Sequence, residues 1–490
     1  MLSSVDLAVL VGYLAAVLGV GFWFARKSRD SVAYTAADRS LPGWAIGLSL
    51  FGTYISSLSF LANPGKAYAD NWNAFVFSLA TPVAAAVAVR WFVPFYRRSG
   101  HVSAYEHLER RFGAWARTYA VACFLLTQVA RTGIIVYLLA IAVSPLTGWK
   151  ISNTILIIGV LMTIYTMAGG IQAVVWVGVM QSVVLVTGPI ICLAAILSKT
   201  PGGFHEIVQT AGDHDKFGLG SFDMSLLEST FWVSLLYGLA THLNNYGVDQ
   251  GFVQRYITAR SDREASKSVW ISALLYVPVA GLFFFIGTSL FVFYLLQPQL
   301  LGSVNKADQV FPHFIATELP IGMSGLVVAA IFAASMDPSL NAMATLTLCD
   351  VYQRYFRPRA GERESMFVLR ASTLFWGALG TGMALAMISS GENALDAWWK
   401  FASIFSGGVL GLFLLGLISR RTGNPAAVIA VIVGVLVIGW ISLPGVFGQL
   451  NLRSPWQSPM HVNMTMVVGT LTIFLVGIVV SALHRAISGR

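Results

Sequence analysis

Apolar stretches long enough to cross a bilayer follow one another along the whole chain, at 5–25, 43–63, 73–96, 119–147, 151–168, 171–198, 229–250, 268–296, 309–350, 368–390, 397–419, 424–444 and 462–484. A helix needs about 20 apolar residues to span the hydrocarbon core. The pattern therefore predicts an all-α polytopic membrane protein with about 13 transmembrane helices, the ninth long or broken. The first stretch begins with the acidic Asp6 and lacks a small-residue cleavage site, so it reads as a span and not as a signal peptide.

Two stretches carry polar residues where lipid-facing helices should have none. Phe51–Tyr68 holds Ser56, Ser57 and Ser59, with Pro64-Gly65 beyond them. Thr241–Tyr256 holds His242, Asn244, Asn245, Tyr246, Asp249 and Gln250. They lie five segments apart, so 43–198 and 229–419 form two five-helix halves of opposite topology. The 5–25 helix is then an extra at the front and 424–484 two helices at the end of a single 1–490 domain. Polar, interrupted helices at matching places in inverted halves point to a substrate site at the membrane midplane.

Composition agrees with this reading. Hydrophobic residues make up 56% of the chain and charged residues 11%, with mean hydropathy +0.71, against about 25% charged in soluble proteins. The net charge of +9 reflects orientation and no nucleic-acid partner. With the amino terminus outside and the carboxyl terminus inside, roughly 22 of the 31 Lys and Arg fall in inside connections. Cys123, Cys192 and Cys349 sit in apolar segments without ligand spacing and read as small core residues. The Gly-rich, acidic stretch Lys199–Glu228 is expected to be a solvated connection, or else a flexible cap.

The residues that invite chemistry are few. Gly325–Tyr352 runs apolar until Asp337-Pro338. An acid at the bilayer centre costs about 2.5–3.5 kcal/mol, and a proline inside a helix about 3 kcal/mol while freeing a carbonyl. Asp337, freed carbonyls and the hydroxyls of Ser335 and Ser339 are hard oxygen ligands for an alkali cation. The alternative is that Asp337-Pro338 ends a shorter helix near the water interface. Arg131 sits within the fourth segment and needs an anion or a watery cavity. It reads equally as a clamp for a substrate carboxylate or as the partner of an internal acid such as Asp249. The eight histidines lie mostly in loops or at segment ends without metal spacing, and His242 reads as a packed polar residue. No phosphate loop, HExxH or Gly-x-Ser-x-Gly is present, which argues against an enzyme.

Several runs resemble the sodium:solute symporters: Met167-Ala168-Gly169-Gly170-Ile171-Gln172-Ala173-Val174-Val175-Trp176, Asp249-Gln250 with Val253-Gln254-Arg255-Tyr256, Pro64-Gly65-Lys66-Ala67-Tyr68, and Gly325–Ala334. The resemblance covers nearly the whole chain. It implies a LeuT-like core of two inverted five-helix repeats and Na+-driven uptake by alternating access in a bacterial inner membrane. Ser56-Ser57-Leu58-Ser59 and the setting of Arg131 look closest to the sialic-acid transporter branch.

The resemblance also implies a sodium site made from backbone oxygens of Gly52 and Ile55, the Ala334 carbonyl and two adjacent hydroxyls. Here the chain departs from the pattern. Ser335-Met336-Asp337-Pro338-Ser339 is shorter by about three residues, a turn of about 60° at 3.6 residues per turn, and Asp337-Pro338 replaces the paired serines. Gly178 stands where the branch has the aspartate of a second sodium site, so one site is expected, with Asp337 serving Na+ or a proton. For the substrate, Ser56, Ser59 and Arg131 match, Tyr54 replaces a smaller hydroxylic residue, and Ala74 and Ser78 replace an aromatic ring and a glutamine. Asn244 and Asn245, at the second interruption, complete the expected set. An acidic sugar such as sialic acid, or another small carboxylate, is implied. A proton-coupled or uncoupled carrier is the alternative, and a sensor a more distant one because the tail after Leu483 is short. The expected partners are the substrate and the lipid bilayer, with no obligate protein partner.

Overall fold

The structure is a computed structural model and describes residues 3–25, 31–56, 58–100, 102–302, 304, 306–335, 339–389, 394–447, 458 and 460–488. Each of the thirteen apolar stretches carries helix. The principal helices are α1 (Ser4–Ala25), α2 (Gly43–Tyr54), α3 (Asn63–Ala69), α4 (Trp72–Ser99), α5 (Ala114–Thr147), α6 (Ile151–Lys199), α7 (Gly203–Asp213) and α8 (Phe231–Gly247). They continue with α9 (Gln250–Ile257), α10 (Asp262–Leu296), α11 (Met323–Ser335), α12 (Ser339–Leu346), α13 (Glu362–Met387), α14 (Ala394–Ile418), α15 (Asn424–Phe447) and α16 (Met464–Ser488). Among the described residues, seven helices are long and apolar enough to cross a membrane, and Gly43–Tyr54 with Ser59–Ala69, bent by 58°, makes an eighth when the pair is counted as one span. The others are shorter or more polar, as broken and core helices are.

The breaks have local causes. In α6, Gly170 adopts φ 58° and ψ −159°, separating the fifth and sixth apolar stretches. A Cβ there would lie 2.8 Å from the Tyr34 ring, so a larger residue meets both a strained backbone and a wall. Helix α2 stops at Ile55 (φ −91°, ψ 84°), a wide turn follows over 58–62, and Pro64 sits in the first turn of α3, where its missing N–H costs nothing. Helix α8 stops at Val248, and Asp249 caps α9 by accepting from the amides of Gly251 (2.8 Å) and Phe252 (3.2 Å).

The two broken helices are tied at one end. The Leu41 amide donates to Thr258 O and the Arg260 amide donates back to Leu41 O, both at 3.2 Å, joining the start of α2 to the end of α9. Arg255, 1% exposed, donates to Ser49 O (3.2 Å) and to Thr53 Oγ1 on α2. These bonds hold α9 against α2. Helix α10 packs along α2 and α3, while α15 and α16 pack on each other and on α14.

Helix α1 is stapled to the core by its one acid. Asp6 Oδ1 accepts from the Gly322 and Gly325 amides, each at 2.8 Å, and Oδ2 accepts from Ser3 Oγ at 2.6 Å. Asp6 therefore acts as an N-cap for α11 supplied from another helix. Asp6→Ala strands those two amides, and a lost cap costs about 1–2 kcal/mol. The expected result is a lower melting temperature of the purified protein, with Asp6→Asn losing less.

The stretch 199–228 is more than a plain connection. It carries α7, and Lys216, 7% exposed, donates to Tyr68 O (2.7 Å), Asp70 O (2.9 Å) and Ala69 O (3.3 Å). Lys216 thereby caps the free carbonyls at the end of α3. Burial lowers its pKa, while the Asp70 carboxylate works in the opposite direction.

Candidate functional site

Both breaks open on a cavity of about 110 Å³. The carboxyl-terminal ends of α2 and α8 and the amino-terminal ends of α3 and α9 converge near it, and such ends offer partial charges of both signs to ligands. Among residues singled out in the sequence, Tyr54, Ser56, Ser59, Ala74, Ser78, Arg131 and Asn245 all line this cavity. Ser57 lies outside the described residues.

Asn244 does not belong with them. It lines a separate, smaller cavity with Gln128 and Asp249, because one step along α8 turns a side chain by about 100°. Asn244 is 8% exposed and its Oδ1 is without a hydrogen-bond partner among the described residues.

Arg131 is placed by α5 against the frayed end of α2. One terminal nitrogen donates to Thr53 O at 2.9 Å, and the guanidinium carbon lies 5.8 Å from the centre of the Trp398 ring. The freed carbonyl and the negative end of α2 stabilise the cation without neutralising it. Asp249, offered as its partner, accepts the Gln128 amide at 2.9 Å, and Gln128 Oε1 in turn accepts from Ser339 Oγ at 2.9 Å. This chain of bonds links α9, α5 and α12.

The aromatic part of the wall was not legible as such. Tyr54 packs on Tyr276 (centroids 4.8 Å apart), Phe252 (5.0 Å) and His242 (5.4 Å), joining both broken helices to α10. Thr53, Asn63, Phe77, Thr241 and Trp398 also line the cavity without having been singled out. Thr241 and His242 had a signal, their place in a polar-interrupted span. Phe77 and Trp398 had none, since an aromatic in a membrane helix is unremarkable by itself.

For the sodium set, the terminal carbonyls of α2 divide in an informative way. Thr53 O takes Arg131 and Tyr54 O takes Ser59 Oγ (3.0 Å), and the Gly52 and Ile55 carbonyls are the other two in that last turn. Ala334 and Ser335 end α11. Their side chains and residues 336–338, Asp337 included, lie outside the described residues. At Gly178 a Cβ would lie 2.6 Å from Ser49 Oγ, and Ser182 Oγ donates to both Gly178 O (2.8 Å) and Leu48 O (2.7 Å). Helices α2 and α6 thus meet too closely there for a larger side chain. No group of three or more His, Cys, Asp or Glu suited to a metal ion occurs among the described residues.

Two interrupted helices facing a polar cavity with a membrane-buried guanidinium define a secondary transporter. The chain belongs to the sodium:solute symporter family, whose sequence model matches residues 34–434. It is 31% identical over 484 residues to the sodium/sialic acid symporter SiaT of Proteus mirabilis, covering 98% of this chain and 95% of that one. Among solved structures it is similar to a substrate-bound, outward-open Na+-coupled sialic acid symporter, with TM-score 0.90, 30% identity and 98% of each chain covered. The nucleobase-cation symporter Mhp1 shares the fold at TM-score 0.61 and 16% identity, over 94% of this chain and 95% of that one. The protein is accordingly an integral inner-membrane symporter driven by Na+, and not an enzyme.

Proposed function

We propose that this symporter takes up an acidic sugar, sialic acid or a close carboxylate, with the carboxylate held by Arg131. The observation that carries the reading is Arg131 itself, a fixed cation lining a cavity between two broken helices. Its planar fork suits bidentate contact with a carboxylate, and Ser56, Ser59, Ser78 and Asn245 offer hydroxyl and amide partners around it. The sialic-acid symporters it resembles support the choice of substrate.

The thirteen helical stretches are all read as spans, with 43–198 and 229–419 as the inverted repeats, the amino terminus outside and the carboxyl terminus inside. One Na+ is read at the α2 break, on the Gly52 and Ile55 carbonyls, the Ala334 carbonyl, Ser335, Ser339 and Asp337. Ser339 Oγ donates to Gln128 Oε1 at 2.9 Å, which ties this part of the set to α5. The tight packing at Gly178 supports a single site.

The test is uptake of labelled sialic acid into proteoliposomes under a Na+ gradient or a proton gradient alone. Accumulation is expected with Na+ only, and Asp337→Ala should abolish it. Drive by protons alone would recast Asp337 as a proton carrier, and unchanged uptake in Asp337→Ala would remove it from the site.

A further inference from the structure

Gln128 lies on α5 one turn before Arg131, so the two side chains leave the same face of that helix. It is 2% exposed, and both ends of its amide are engaged. Nε2 donates to Asp249 Oδ2 and Oε1 accepts from Ser339 Oγ, each at 2.9 Å. An ionised carboxylate only accepts, so Asp249 fixes which end of the amide faces it. The Ser339 hydroxyl is then the donor to Oε1.

The two partners belong to different elements. Asp249 caps α9, the half-helix beyond the second break, and Arg255 on α9 holds the Thr53 hydroxyl of α2. The Thr53 carbonyl in turn receives Arg131. Ser339 begins α12, just past the segment read as sodium-binding. One buried amide therefore joins the sodium side, the capped half-helix and, through Thr53, the guanidinium read as the carboxylate clamp. Amide and hydroxyl bonds between membrane helices are ordinary packing glue. Glue does not call for a carboxylate at one end, nor for donors that all point one way, from Ser339 through Gln128 to Asp249.

We propose that Gln128 is a positioning residue that couples Na+ to substrate binding. A cation on the Ser339 oxygen makes that hydroxyl a stronger donor. The Gln128 amide is polarised in the same sense, and its N–H binds the Asp249 carboxylate more firmly. Held in this way, α9 keeps Arg255 on Thr53, and the guanidinium is ordered before a carboxylate arrives. Without the ion the same bonds are weaker, and the substrate's own binding must supply the ordering. The inference rests on Ser339 as a sodium ligand and on Arg131 as the carboxylate clamp.

Isothermal titration calorimetry of the purified full-length protein gives the sialic-acid constant in choline and in saturating Na+. Their ratio is the coupling factor, and by linkage sialic acid must change the Na+ constant by the same ratio. Gln128→Met keeps the length and removes both bonds. It is expected to lower the coupling factor at least about fivefold, while the constant in choline moves by less than about threefold. Asp249→Asn keeps an oxygen to cap α9, and its amide can bond a Gln128 turned end for end, so the tie survives while its direction reverses. The melting temperature should stay near that of the wild type, and the coupling factor should fall as in Gln128→Met. A wild-type coupling factor in either variant makes Gln128 packing glue and overturns the proposal. Ser339→Ala and Arg131→Gln are titrated alongside. An Na+ constant unmoved by the first, or a sialic-acid constant unmoved by the second, overturns the reading beneath the proposal, and the proposal with it.

Discussion

Replacing Arg131 by alanine is expected to raise the apparent substrate constant for sialic acid by about a hundredfold or more, the usual consequence of truncating one partner of a buried, hydrogen-bonded charge pair. The reason is geometric as well as electrostatic. The guanidinium is held by the Thr53 carbonyl and lies near the Trp398 ring, so little ordering remains to be done when a carboxylate arrives. Arg131→Lys keeps the charge and loses the fork, and should recover only part of the affinity. A neutral amide of the same substrate should bind the wild-type protein poorly and be almost indifferent to the substitution. Concentration-dependent uptake with both ligands checks this, and an unchanged constant for the acid would remove Arg131 from the site.

The second large effect is expected far from the cavity, where the connection after α4 meets the end of the ninth segment. Asp350, 3% exposed, accepts from Arg117 and, at 2.7 Å, from Ser103 Oγ. Arg117 also reaches Glu109 Oε2 at 2.9 Å and Cys349 O at 3.3 Å. Gln250 on α9 binds the same connection through Val102 O and the Ala104 amide, both at 2.8 Å. Removing Arg117 leaves Asp350 as an uncompensated buried charge, which costs about 3–5 kcal/mol. Arg117→Met should therefore lower the melting temperature and admit water to this end of the molecule. Maleimide labelling of Cys349, with Cys123 and Cys192 replaced by serine, should rise with it. Asp350→Asn in the same background removes the stranded charge and should restore much of the loss. Labelling and melting that ignore Arg117→Met would make the cluster an ordinary surface network.

The near-absence of charge from thirteen stretches, the bias of Lys and Arg between loops, and the two interrupted helices five segments apart were all legible in the chain. They follow from the cost of placing polar groups in lipid, which acts on each segment separately and so leaves its mark in one dimension. Arg131 was visible for the same reason, as a charge where none should be. What it faces was not visible, because that depends on which turn of α5 meets the end of α2. Asn245 reaches the cavity and Asn244 a different one, a distinction set by the rotation of α8 about its axis. Residues such as Phe77, Thr81 and Trp398 carry no signal along the chain, since lipid and protein interior select the same side chains. Only the packing of α4, α8, α10 and α14 around the two breaks separates a ring that faces lipid from one that walls a cavity.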